Sequence, residues 1–265
     1  MAMKRHYYNL LIILVGLITY GNVFFNGFVW DDQSQIIDNI AIHKLSNIGS
    51  FFTGSSFYGG GSEKLVGMYY RPMMTLTFSL LYTIFGAKAF PFHLLSLTLH
   101  ILNATLVFIL FKKFFSKNLS LLLTLLFLVH PIQTEVVNYI SALGDTLSFS
   151  FGITGLLLIM EKKQVVKTRL VLVGLFFLGS LLSKETGILF LIAAFIYRGL
   201  YHKEFVYSTI PIIGSLSIYG FLRLIVAQIR IPLQPFIPIM AASFIEKVMS
   251  APKIFVYYIN TFFFP

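Results

Sequence analysis

No cysteine occurs among the 265 residues, so disulfides and thiolate metal sites are excluded, and thiol usage says nothing about the redox compartment. Acid is scarce too: 10 Asp and Glu stand against 20 Lys and Arg, for a formal charge of +10. Polar surface of any kind is short. With 57% hydrophobic residues and a mean hydropathy of +0.83, the chain lacks the polar side chains that would cover a soluble core of this size. No repeat at a period of roughly 20–50 residues is visible. The basic residues form short clusters between apolar runs, without the stripe that phosphate tracking along nucleic acid requires.

What remains is an all-α polytopic membrane protein. Residues 7–25 match the length needed to cross roughly 30 Å of hydrocarbon at about 1.5 Å per residue. Lys4-Arg5 precede them, and no small-x-small cleavage site follows before Trp30, so an anchor is favoured over a cleaved signal peptide. Residues 26–90 are the longest polar segment, a first outer loop with a turn-rich stretch at 54–64. Its apolar MMTLTFSLLYTIFG is short for a span and suits an interfacial or re-entrant helix. Further crossings are expected at 91–111, 119–129, around 139–160, 170–183, 186–200 and 205–226. The short inner segments then hold Lys4, Arg5, Lys112, Lys113, Lys117, Lys162, Lys163, Lys167, Arg169, Arg198 and Lys203, as the positive-inside rule requires of a cytoplasmic N-terminus. Residues 1–265 read as one transmembrane domain. The closing YYINTFFFP looks like the start of another crossing, so an N-terminal fragment of a longer protein is expected, with 205–265 an incomplete end of the bundle.

Under this threading Asp31, Asp32, Asp38, Arg71, His130, Glu135, Asp145, Lys184 and Glu185 fall on or near the outer side. Glu161 and Glu204 lie at the inner surface, and Glu63 and Glu246 are left without a role. Each group has a plain reading beside a chemical one. Asp31-Asp32, in GFVWDDQSQIIDN, form a solvated helix exit or cap, or else a general base whose pKa rises where water is partly excluded, with the neighbouring carboxylate orienting it. Arg71 anchors an interface or binds phosphate through its planar fork. His130 and Glu135, in HPIQTEVVNYISALGD, cap a helix terminus or serve a site; their spacing lacks a metal-binding pattern. On a continuous helix Asp145 would share the face of Glu135 to within about 80°. Lys184-Glu185, in LLSKETG, are either a mutually satisfied pair or a functional charge pair at the membrane boundary.

Taken in order, FVWDD, YYRPMMTLTFSLLYTIFG, FHLLSLTLHILNATLVFIL, HPIQTEVVNYISALGD and LLSKETG resemble the TMTC-type membrane mannosyltransferases and their prokaryotic relatives, in the GT-C superfamily beside the protein O-mannosyltransferases. The resemblance covers most of residues 20–190. It implies a GT-C-like transmembrane helix bundle whose first outer loop carries short interfacial helices. It also implies a glycosyltransferase that moves a mannose-like hexose from a polyprenyl- or dolichyl-phosphate donor to an acceptor hydroxyl of a protein or glycan. Residue by residue, it assigns the catalytic base to Asp31 or Asp32 and donor contacts to Arg71, His130, Glu135, Lys184 and Glu185, with Asp145 beside them. No metal and no cofactor are expected beyond the lipid-phosphate sugar itself. The site would face the exterior in a prokaryotic plasma membrane or the lumen of a eukaryotic endoplasmic reticulum. Relatives usually carry GR-x-D where this chain reads Ala142-Leu143-Gly144-Asp145, so a leucine stands in place of the arginine. The rival readings are a polytopic transporter or lipid-handling protein, whose ionisable groups should face a midplane cavity, and a non-catalytic scaffold.

Overall fold

The computed structural model describes residues 2–56, 69–161, 167–201, 205–229 and 242–264. Lys162, Lys163, Lys203, Glu63, Glu204 and most of the turn-rich stretch at 54–64 lie outside them. Contacts divide the chain into two units, Met1–Ile229 and Arg230–Pro265.

The first unit is all-helical in its described part: α1 (Ala2–Tyr20), α2 (Ile48–Thr53), α3 (Pro72–Phe85), α4 (Ala89–Phe111), α5 (Lys117–Val129), α6 (Thr134–Asn138), α7 (Leu143–Ile159), α8 (Lys167–Ser183), α9 (Ile188–Tyr201) and α10 (Phe205–Phe221). Four described helical stretches are long and apolar enough to cross a membrane: Tyr7–Phe25, Ala89–Phe111, Ile140–Ile159 and Thr209–Val226. A fifth would be α5 together with the helical run to Asn138, bent by 51° at His130-Pro131. That bend is written in the sequence, because proline suits the first turn of a new helix and cannot continue the old one. At 14 residues, α3 is short for a span, as its sequence indicates.

Helix α7 is the hub. Its residues are buried on most sides, and it packs on α4, α8 and α9. Close approach comes from small residues, the usual basis of helix association in lipid. A Cβ at Gly155 would lie 2.8 Å from the ring of Phe177, which fills that space instead. The apolar faces of α1, α9 and α10 instead expose Leu10, Ile18, Leu189, Ile196, Ile213 and Phe221, the lipid-facing surface of a membrane bundle.

The first loop folds back on the bundle through short elements. After Asp32 come a π-helical turn (Gln33–Ile37), two 3₁₀ turns (Ile40–His43 and Leu45–Asn47) and α2. Ile36, Ala41, Ile42 and Phe51 from this region share one buried cluster with Met74, Phe78, Phe92, Leu143 and Leu147. The returning strand of chain is tied at Tyr70, whose hydroxyl donates to the Phe52 carbonyl at 2.9 Å, and at Arg71, whose backbone N–H donates to Ser56 Oγ at 2.6 Å. Phe52 and Ser56 are thus tied to Tyr70 and Arg71 within the loop, which sets Arg71 at the head of α3.

The second unit contains α11 (Phe244–Phe263), begun by a reciprocal cap: Ser243 Oγ accepts the N–H of Glu246, and the Glu246 carboxylate accepts the N–H of Ser243. This helix carries the YYINTFF stretch.

Candidate active site

Two adjacent carboxylates meet opposite surroundings. Asp32 is 0% exposed, and its Oδ2 accepts the backbone N–H of Val29 at 3.0 Å. Its Oδ1 accepts both the backbone N–H of Ser141 at 2.8 Å and the Ser141 hydroxyl at 2.6 Å. Ser141 lies in the 3₁₀ turn Ile140–Ala142 that leads into α7, so Asp32 caps the start of the hub helix from 109 residues away. Orphan N–H groups and the positive end of the helix dipole make this a favourable seat for a carboxylate.

Asp31 is exposed. Its neighbour Trp30 holds a left-handed backbone at φ 49°, which costs energy for a bulky side chain. The Trp30 ring meets the Tyr139 ring edge-on at 5.8 Å, which sets the phenol close to Asp31. Burial first, and then the neighbouring Asp31 carboxylate, push the Tyr139 phenol up to about 12, so it stays neutral.

A second group lies one turn further along α7. Lys184 Nζ is 2.5 Å from Asp145 Oδ2. Glu185 does not pair with Lys184; its Oε2 takes Arg71 Nε at 3.1 Å and its Oε1 takes Arg223 Nη1 at 3.5 Å. Arg71 lies with its guanidinium carbon 4.5 Å over the Tyr69 ring, and Arg223 donates to the Tyr219 hydroxyl at 2.7 Å. The two groups adjoin at Gly144, where an added Cβ would lie 3.9 Å from Arg71 Cδ and 3.0 Å from the Ser183 carbonyl oxygen. Ser141 on Asp32 and Asp145 on Lys184 are separated by roughly 6 Å of helix rise.

The mutually satisfied Lys184–Glu185 pair is therefore absent, each residue having found a partner elsewhere. The continuous helix from Glu135 to Asp145 is absent as well. Tyr139 is extended, at φ −103° and ψ 108°, and this break frees the Ser141 N–H to meet Asp32. His130 takes the capping role, its Nδ1 accepting the Ile132 N–H at 3.3 Å ahead of the turn Pro131–Gln133. Glu135 is exposed on α6 and takes no part in the ion pairs of the cluster. Leu143, where the resemblance leads one to expect an arginine, is 0% exposed and packs in the apolar core. Arg223 is the residue that sequence reasoning missed. It lies in a π-helical turn, Leu222–Val226, that ends α10, and a lone arginine closing an apolar span was the available signal.

Beside Asp145 opens a cleft of about 420 Å³ between α4, α6, α7 and α9. Asp145, Gln133 and Thr186 form part of its polar lining, while Phe127, Val136, Phe149, Leu156, Leu189, Phe190 and Ala193 give apolar walls.

Residues 71–225 match the family model described as dolichyl-phosphate-mannose-protein mannosyltransferase. Protein O-mannosyl-transferase TMTC3 of Mus musculus is 32% identical over 182 residues, 67% of this chain and 20% of that protein. The human protein of that name is 31% identical over 184 residues, again 67% and 20% of the two chains. Protein O-mannosyl-transferase F38B6.6 of Caenorhabditis elegans is 29% identical over 228 residues, 82% of this chain and 32% of its own. The chain thus spans about a fifth to a third of the length of these relatives. No solved structure matches it.

Proposed function

The chain belongs to the dolichyl-phosphate-mannose-protein mannosyltransferase family, and from that premise we propose that it transfers mannose from a lipid-phosphate donor to an acceptor hydroxyl. Asp31 is the base. It takes the acceptor O–H proton as the acceptor oxygen bonds to the anomeric carbon. The bond from that carbon to the phosphate oxygen breaks, its electron pair stays on the oxygen, and the sugar inverts. Asp32 positions Asp31 by fixing the loop to α7. The carrying observation is the contrast between them: Asp32 has both oxygens committed in a sealed site, whereas Asp31 is exposed and free to meet an acceptor.

The charge inventory supports a singly charged donor phosphate. Arg71, Arg223 and Lys184 face Glu185 and Asp145, leaving one positive charge over. That balances a sugar phosphodiester, and guanidiniums aimed at a leaving phosphate stabilise charge as it develops, with no metal needed for the step. The apolar cleft at Asp145 suits the first part of the donor's hydrocarbon tail. In this reading the protein acceptor arrives on the side opposite the lysine-bearing turns, which by the positive-inside rule is luminal or exterior.

The test is transfer of labelled mannose from dolichyl-phosphate mannose to protein, in membranes holding the full-length protein. We expect transfer that resists EDTA and falls at least about 100-fold in Asp31→Asn. Undiminished transfer by Asp31→Asn removes the base assignment, and no transfer by the wild-type protein from any lipid-phosphate hexose removes the function.

A further inference from the structure

Glu185 bridges two arginines in a way that differs from every feature of Asp32. Asp32 is sealed and takes two backbone N–H groups and a hydroxyl. Glu185 keeps 30% of its side chain exposed, and its described hydrogen bonds both go to arginine side chains, one per carboxylate oxygen. One anion with two oxygens, each on a guanidinium, is the arrangement a phosphate would make with the same pair.

The arginines do not depend on Glu185 for their places. Arg71 is held by Tyr69 under its guanidinium and by the Ser56 bond to its backbone. Arg223 is held by the hydroxyl of Tyr219. The cradle therefore persists when the carboxylate swings out. The backbone around Glu185 is fixed: a Cβ at Gly187 would lie 2.5 Å from Ser180 Oγ and 2.8 Å from the Ser180 carbonyl, so the turn Glu185–Gly187 rests directly on α8. Any yielding is a rotation of the side chain.

We infer that Glu185 is an internal stand-in for the donor's phosphate, occupying the Arg71–Arg223 cradle at rest and displaced when the donor docks. This rests on the proposed reading of the cluster as a phosphate site and adds a competitor to it. At rest the carboxylate keeps two like charges from repelling each other and holds the cradle open at the spacing of an anion. When phosphate enters, the ionised carboxylate repels it at close range, which weakens donor binding. After transfer the lipid product is a phosphate monoester, with more negative charge than the donor. The same carboxylate then competes for the arginines and speeds product release.

Glu185→Gln preserves the shape and one acceptor oxygen while removing the charge. We expect it to bind lipid phosphate about tenfold more tightly, the effect of removing one like charge from a half-exposed site. In turnover KM and kcat should fall together, because ground-state repulsion is lost and release slows. The experiment measures binding of farnesyl phosphate to the full-length protein in nanodiscs, wild type against Glu185→Gln, with size-exclusion profiles as the check on folding. Should Glu185→Gln not fold, Glu185→Asp draws the carboxylate back from the guanidiniums and is expected to gain affinity in the same direction. Tighter binding by the variant supports the stand-in role. Equal or weaker binding, with the wild type binding measurably, overturns it and leaves the phosphate site standing. Absence of binding by both proteins at millimolar ligand overturns the phosphate site and the stand-in together.

Discussion

The Oδ1 atom of Asp32 accepts the backbone N–H and the hydroxyl of Ser141, at 2.8 and 2.6 Å, across 109 residues of sequence. This one oxygen ties the first loop to the helix around which the bundle packs. Asp31, the next residue back, carries no such burden.

Stability and activity should therefore separate between the two aspartates. Asp32→Ala strands the Val29 N–H, the Ser141 N–H and the Ser141 hydroxyl in a sealed site, and should cost about 3 kcal/mol or more. Asp31→Asn should leave the stability in detergent within about 0.5 kcal/mol of wild type, as for an exposed side chain, while transfer falls at least about 100-fold. Thermal denaturation of both variants beside the transfer assay checks this. A large stability loss in Asp31→Asn would mean that the exposed carboxylate is structural after all.

Gly144 makes a second prediction. An alanine there places Cβ 3.0 Å from the Ser183 carbonyl and 3.2 Å from Met74 Sδ. Sulfur at the end of a methionine can move, but the carbonyl precedes Lys184 in the chain, so the strain passes to the ion-pair cluster. Overpacking of this kind costs about 1–3 kcal/mol, and the donor KM should rise several-fold as Arg71, Lys184 and Glu185 shift. Gly214→Ala, where nothing lies within 4 Å of the new Cβ, is the matched control and should leave KM unchanged. Equal KM values for both variants would show that the Gly144 contact does not govern the site.

Sequence reading went far with the helices and less far with the site, for identifiable reasons; the expected crossings at 170–183 and 186–200 form helices of 17 and 14 residues, outside the four stretches of span length. Apolar runs between lysine clusters locate helices such as α4 because the bilayer imposes length and composition directly. Proline after His130 gives the bend and the cap, since both are local. The break at Tyr139 is not local: the face shared by Glu135 and Asp145 presumed a continuous helix, and the contact of Ser141 with the distant Asp32 lies beyond any spacing rule. The partners of Lys184 and Glu185 lie 39, 114 and 38 residues away, beyond any spacing rule. Arg223 escaped notice because a single charge closing a span has an ordinary interfacial reading. Leu143 was legible as a departure, while the place of Arg223 beside Glu185 required the fold.

Alkali gives a third prediction, through two phenols: Tyr70, bonded within the first loop, and Tyr139, packed against its Trp30. Tyr139 and Tyr70 are both raised from 10.0 to about 12, Tyr139 by burial and then by Asp31, Tyr70 by burial and then by Tyr219. In each case ionisation is easier in the unfolded chain. Their contribution is complete below pH 10 and disappears as pH climbs through 12. The thermal transition followed from about pH 9 to 12 should fall steeply in wild type. In Tyr70→Phe/Tyr139→Phe it should start lower and fall less. Parallel slopes in the two proteins would remove both tyrosines from the alkaline transition.

The cleft beside Asp145 gives the last prediction, and it addresses the donor's tail. Ala193 lines the cleft from α9, and its exposed position leaves room for a larger residue without disturbing the core. Ala193→Trp should fill much of the apolar wall facing Phe149 and Leu156. If the first isoprene units of the donor lie there, a long-chain mannosyl phospholipid loses contact area on entering, while a donor whose chain ends before the cleft loses little. KM for the long donor should rise about tenfold or more, as expected when some 50–60 Å² of apolar contact at about 25 cal/mol per Å² is lost, and KM for a short-chain donor should hold. Ile192→Trp, one residue earlier and exposed without lining the cleft, controls for a bulky aromatic at the lipid boundary. A rise in KM that is independent of chain length would place the tail elsewhere. Chain-length selectivity lost in Ala193→Trp alone would fix the tail between α7 and α9, with the phosphate at Asp145's neighbour Lys184 and the arginine pair beyond it.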